Sequence, residues 1–149
     1  MKAVGMAMYV GADHMVWATS AGVLSGDRAK ARGEWFQKVS LWSWFAASVA
    51  SAAAQTGDLT NALDEMSALQ GHADGDGGAS DADTEAKRAA AAKARAHMGA
   101  ATVSAAQALL ALALLDKTPL KKRHVAALGV AVSLANCASL APSRKSKTA

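Results

Sequence analysis

Three long stretches of this chain carry no charge. Residues 39–57, 96–115 and 124–143 contain no Asp, Glu, Lys or Arg over 19, 20 and 20 positions. About twenty residues of helix match the hydrocarbon core of a bilayer, so each run is long enough to cross one. None is strongly apolar. The run 96–115 has five Leu but also His97 and Gln107, and 124–143 holds Asn136. A polar group at a helix centre costs on the order of 2 kcal/mol or more on insertion scales, whereas a Leu returns only about 0.5 kcal/mol. Runs of this kind are marginal spans that need helical partners, or interfacial helices, or the buried helices of a soluble bundle.

Composition settles the fold class. Ala supplies 39 of the 149 residues and there are only two Pro. Ala loses least on becoming helical, and the scarcity of β-branched side chains argues against strands. The expectation is an all-α chain of single-domain length. Net charge is +4 and the pI is near 9.4, which suits an anionic partner, either lipid head groups or nucleic acid. The basic residues are scattered over four places with no recognition motif or stacking platform, so no nucleic-acid partner is expected. Cys137 is the single cysteine, and it excludes an internal disulfide framework. Residues 1–12 have one Lys and a short apolar run with no cleavage site, so no secretory signal is expected.

The chain reads as four main helices. The first runs from about Ala3 to Ala21, with Val4, Met8 and Met15 on one face, and is broken by Gly22 and Gly26. The second runs from about Trp35 to Gln55 and is ended by Gly57 and Asp58, with a shorter amphipathic turn over 59–69. The third starts near Thr84, basic in its first half and Leu-rich to Leu115, with Pro119 as its stop. The fourth runs from about Arg123 to Leu140, closing a C-terminal helical hairpin. Between the second and third lies 71–85, GHADGDGGASDADTE, with four Gly and five acids, which cannot bury apolar surface and reads as a flexible acidic linker. The organisation is 1–70, an N-terminal helical segment; 71–85, the linker; and 86–149, the hairpin and a basic tail. Asp74, Asp76 and Glu85 fit positions of a calcium loop, but Gly78 and Ala79 stand where an oxygen ligand and a glycine are required. No metal site is expected.

Catalytic patterns are missing from the sequence. There is no H-E-x-x-H, C-x-x-C, G-x-S-x-G or phosphate-binding loop, and the four His lie far apart. Asp13–His14 reads as the polar face of the first helix rather than an acid–base pair. No enzyme and no cofactor is expected. The surface-binding signal is stronger. Trp17, Trp35, Trp42 and Trp44 fall within 28 residues, and Arg28, Lys30 and Arg32 lie between the first two. Trp favours the membrane–water boundary, and a Lys or Arg near an anionic leaflet gains about 1 kcal/mol. These seven residues are the candidate membrane interface. Burial of Trp42, Trp44 and Phe45 in a core, with the charges in a solvated loop, is the competing reading.

Three stretches together resemble the peroxin eleven family, whose members elongate and divide peroxisomes. The first is Asp13-His14-Met15-Val16-Trp17 followed by Ala21-Gly22. The second is Lys38-Val39-Ser40-Leu41-Trp42-Ser43-Trp44 ahead of a small-residue helix ending at Gly57-Asp58-Leu59. The third runs from Ala108 to Leu115, through Leu120, to Val125, Leu128-Gly129-Val130-Ala131-Val132-Ser133-Leu134, and exits at Leu140-Ala141-Pro142. Their order and spacing resemble the C-terminal part of a typical member. The family's N-terminal amphipathic helix, which deforms membranes, is expected to be missing.

The resemblance implies an all-α protein of the peroxisomal membrane acting in peroxisome elongation, proliferation and fission. It implies membrane lipid, self-association and other peroxisome-division proteins as partners. Lys147 and Lys145 stand third and fifth from the end, similar to the K-x-K-x-x sorting signal of some members, which is read in the cytosol. Were 96–115 and 124–143 a membrane hairpin, the tail side would hold seven Lys and Arg against four at the turn, and the positive-inside rule would put the tail in the cytosol. Gly22, Gly26, Gly129, Ala131 and Ser133 are expected to permit close helix packing. The competing reading is a soluble or peripheral helical bundle that binds a protein partner.

Overall fold

The computed structural model describes residues 2–24, 26–73 and 81–140. Among these residues there are four helices and no strand, as the composition predicts: α1, Lys2–Ser20; α2, Asp27–Ala73; α3, Asp81–Leu114; and α4, Lys122–Leu140. Each helix packs only on its neighbours in sequence, α1 on α2, α2 on α3 and α3 on α4. The result is a row of antiparallel helices, not a closed bundle.

α2 is the spine of the row. Its 47 residues span about 70 Å at 1.5 Å each. The sequence reading began this helix near Trp35 and broke it at Gly57, and the structure corrects both ends. Gly26, at φ +104°, turns the chain, and its carbonyl accepts the Lys30 N–H at 3.1 Å, so the helix starts within the basic stretch. Arg28, Lys30 and Arg32 are helical residues, not loop residues. Gly57 lies inside the helix with open space around it. A helical Gly costs roughly 0.5–1 kcal/mol relative to Ala, and packing of the following turns against α3 outweighs that. Ala62 is buried there, and Glu65 pairs with Lys93 at 3.1 Å.

The other ends follow their sequence signals more closely. α1 closes where Gly22 takes φ +75° and donates to the Thr19 carbonyl. α3 ends before Pro119 could stop it. Asp116 adopts φ +55° and donates to the Ala113 carbonyl, while the Lys117 N–H reaches back to Leu112 at 3.0 Å, a Schellman closure. Of the stretch read as a linker, 71–73 close α2, 81–85 open α3, and 74–80 lie outside the described residues, as does the segment 141–149.

The core is made of small side chains. Ala12, Ala47, Ala90, Ala94, Ala108 and Ala111 are buried, together with Ser40, Ser48, Ser51 and Ser104, and among the described residues the only larger buried ones are Leu110 and Val132. Large apolar side chains instead face outward, among them Val4, Met8, Val49, Met98, Val130 and Leu134. In water the usual arrangement is the reverse, with Leu, Val, Met and aromatics inside. Small residues between helices and large ones outside is how helices pack in lipid, where backbone approach rather than hydrophobic expulsion holds them together.

Candidate functional site

α1 and α2 meet on bare backbone. A Cβ added to Gly5 would lie 2.9 Å from the Ala47 Cβ, and one added to Gly33 would lie 3.0 Å from the Thr19 methyl. These glycines allow the close approach that the sequence reading assigned elsewhere. Gly22 and Gly26 sit in the turn with nothing near them, Ala131 and Ser133 are exposed, and only Gly129 faces a neighbour, 3.9 Å from a Leu110 methyl. Among the described residues the α1–α2 seam holds one side-chain hydrogen bond, from Ser40 Oγ to the Tyr9 carbonyl at 3.5 Å. Tyr9 stacks obliquely on Trp44 with ring centroids 5.9 Å apart.

Beside this seam lie two hollows. One, of about 640 Å³, is lined by Met15 and Thr19 of α1, by Val23 and Leu24 of the turn, and by Arg28, Arg32, Trp35 and Phe36 of α2. The other, of about 670 Å³, lies between Val4 and Met8 of α1 and Trp42, Ala46 and Ala50 of α2. The sequence-selected residues thus divide. Arg28, Arg32 and Trp35 converge on the first hollow, and Trp42 lines the second. Trp44 turns inward onto Tyr9 and is half-buried. Trp17 is 67% exposed and lines neither hollow, and Lys30, two positions from each Arg, is exposed on another face of α2. Lys145 and Lys147 lie outside the described residues.

The seams on either side of α3 are polar. Ser104 Oγ donates to Ser51 Oγ at 3.2 Å, and Gln107 Nε2 donates to Asn136 Oδ1 at 3.2 Å. His97 places Nδ1 2.9 Å from Gln55 Oε1, a pairing in which the ring N–H donates, with Asp58 at 3.9 Å. His97, Gln107 and Asn136, the groups that made the charge-free runs expensive to bury in lipid, therefore each have a partner. Sequence reasoning saw their cost and missed their pairing, which depends on helix register.

That register carries a larger consequence. Gln55 opposite His97 and Ser51 opposite Ser104 bring the run 39–57 level with 96–115, and Gln107 opposite Asn136 brings 124–140 alongside both. The uncharged runs of α2 and α3 form one band about 30 Å tall, the thickness of a hydrocarbon core, and the described part of the α4 run overlaps it, displaced by about four residues towards the turn. α1 reaches about halfway across it, since Gly5 meets Ala47. Among the described residues one helix, Asp83–Leu114, is long and apolar enough to cross a membrane on its own, with a mean hydropathy of 1.4 in its most apolar window. The alignment also alters the charge count. Arg28, Lys30, Arg32 and Lys38 join Lys117, Lys121, Lys122 and Arg123 at one edge, so the Lys and Arg stand at eight there against seven on the tail side. The asymmetry expected from the hairpin alone disappears, and the positive-inside rule selects neither orientation.

A family model described as Peroxisomal biogenesis factor 11 (PEX11) matches residues 1–141. Comparison with curated proteins and with solved structures returns no match.

Proposed function

The chain belongs to the PEX11 family of peroxisomal membrane proteins that act in peroxisome division, and on that premise we propose that it elongates peroxisomes, raises their number and supports their fission by inserting its helices and self-associating. The family is one of biogenesis factors, not a known enzyme family, and no catalytic step is part of the proposal. The observation that carries the reading is the common level of the three charge-free runs, each lined by small residues inside and large apolar ones outside. A soluble bundle has no reason to keep charge out of one slab across three helices.

The mechanism is a matter of area. α2, α3 and α4 cross together, and their intermediate polar groups are paired within the row. α1 crosses only one leaflet, with Trp35 and the two arginines at that edge of the band, and Trp42 lies just within it. Extra cross-section in one leaflet bends the sheet towards the other, and self-association gathers the strain of many copies. The tail, with Lys145 and Lys147, faces the cytosol in this proposal, supported by the K-x-K-x-x pattern alone. The decisive test is imaging of an N-terminally tagged chain beside a peroxisomal matrix marker, with alkaline carbonate extraction of the same cells. Overlap with longer or more numerous peroxisomes and retention in the carbonate pellet are expected. A diffuse signal that is released by carbonate would replace this reading with the peripheral bundle.

A further inference from the structure

We propose that the groove between α1 and α2 holds one molecule of an anionic phospholipid, its phosphate between the guanidiniums of Arg28 and Arg32 and one acyl chain along α1 from Met15 towards Val4. The proposal rests on the membrane reading above and adds to it a discrete site with a defined ligand.

Arg28 and Arg32 stand one turn apart on α2, and both line the same hollow. Like charges at this spacing repel by a few tenths of a kcal/mol, and an anion between them reverses the sign. Among the described side chains neither has a carboxylate within ion-pair distance, the ion pairs there being Lys93–Glu65 and His97–Asp58. A guanidinium fork matches the oxygens of a phosphate, and two forks one turn apart can share one. The rest of the hollow is apolar except for Thr19.

The second hollow supplies the other half of an amphiphile's outline. Val4, Met8, Met15 and Thr19 share one face of α1, so the two hollows lie along one line. From Met15 to Val4 the helix rises about 16 Å, on the scale of an acyl chain. Polarity also runs the right way. The arginines lie outside the charge-free band, before Lys38, while Trp42, Ala46 and Ala50 lie within it. A head group at the band's edge and a chain inside it is the orientation a lipid of that leaflet already has. A free carboxylate, free phosphate or an acidic helix would use only part of this outline.

The test uses the full chain, purified in a non-ionic detergent and titrated with dioleoyl phosphatidic acid or dioleoyl phosphatidylcholine, with bound lipid read by native mass spectrometry. The wild type is expected to carry one phosphatidic acid molecule in preference to phosphatidylcholine. Arg28→Gln with Arg32→Gln should weaken that adduct by about tenfold or more, and Lys30→Gln should leave it unchanged. Ala46→Trp, at an exposed position, should weaken the dioleoyl lipid while sparing a short-chain phosphatidic acid. Should the Gln pair fail to fold, Arg28→Lys with Arg32→Lys keeps the charge, removes the fork and should still bind several-fold more weakly. Equal loss in Lys30→Gln, an unchanged adduct in either double variant, or oleate binding as tightly as phosphatidic acid would overturn the proposal. Carbonate extraction separates the two layers. Wild type released by carbonate defeats the membrane reading and this site together, whereas wild type retained with lipid binding indifferent to both arginines defeats only the site.

Discussion

Along α2, the seam with α1 closes on backbone and the seam with α3 closes on paired side chains. On the first, Gly5 and Gly33 let the helices touch, with one long hydrogen bond and a Tyr–Trp contact. On the second, Ser51–Ser104, Gln55–His97 and Glu65–Lys93 form a ladder, continued onto α4 by Gln107–Asn136. Both seams use small residues, so neither draws much on hydrophobic burial. The difference lies in what specifies register. Shape fixes α1, and hydrogen-bond identity fixes α3 and α4. A shape-fixed seam fails on a single added methylene, while a bond-fixed seam loses roughly one bond's worth at a time.

Gly5→Leu should break the comparison hardest. Its Cβ has no room at Ala47, and overpacking of this kind costs about 1–3 kcal/mol. Thermal unfolding in detergent should show the loss, together with a changed Tyr9–Trp44 near-ultraviolet signal; an unchanged signal would mean that α1 does not sit where Gly5 places it. Gln107→Leu comes next, at about 1–2 kcal/mol, because it strands Asn136 between helices. Adding Asn136→Leu should recover part of that, and if the double variant is as unstable as the two losses summed, the pair was not bonded. Gly57→Ala should act the other way. In a continuous α2 it stabilises by about 0.5–1 kcal/mol, and a neutral or destabilising result would restore a break at that point. Smallest is Lys93→Ala. Its ion pair with Glu65 is exposed on both sides, so a change under about 0.5 kcal/mol is expected in the same melting experiment.

Much of this was legible in the residues. Alanine content gave the helical class, and Gly22 and the basic turn 117–123 marked the close of α1 and the start of α4. What was misread has a common physical origin. Gly57–Asp58 is a local stop signal, and it lost to tertiary packing from Ala62 onward. The stretch holding Arg28, Lys30 and Arg32 lies between the break at Gly26 and Trp35, where the competing reading puts a solvated loop, yet Ala, Lys, Arg and Glu are good helix formers. Reading it as helix would have put Arg28 and Arg32 on one face and Lys30 on another. Gly5 and Gly33 were not legible as packing glycines because a glycine's value depends on what lies across from it. Gly5 and Gly33 differ from Gly11 and Gly57 only through the partner helix. Gln107 and Asn136 were visible as costs, but their pairing needs the register set by the turn at Asp116.

Residence in the membrane requires α2, α3 and α4 to share one level in lipid. In a Cys137→Ser background, single cysteines at Val49, Leu109 and Val130 test this directly, since all three side chains point outward from the band. Treated with a membrane-impermeant maleimide in intact peroxisomal membranes, all three should stay unlabelled, while a cysteine at Asn61, exposed beyond the band, should react once the membrane is opened to both sides. All four positions should react once the membrane is dissolved and the chain unfolded. Labelling at Val49, Leu109 and Val130 as complete as that at Asn61 before solubilisation would mean that the band faces water, and the membrane reading would be wrong.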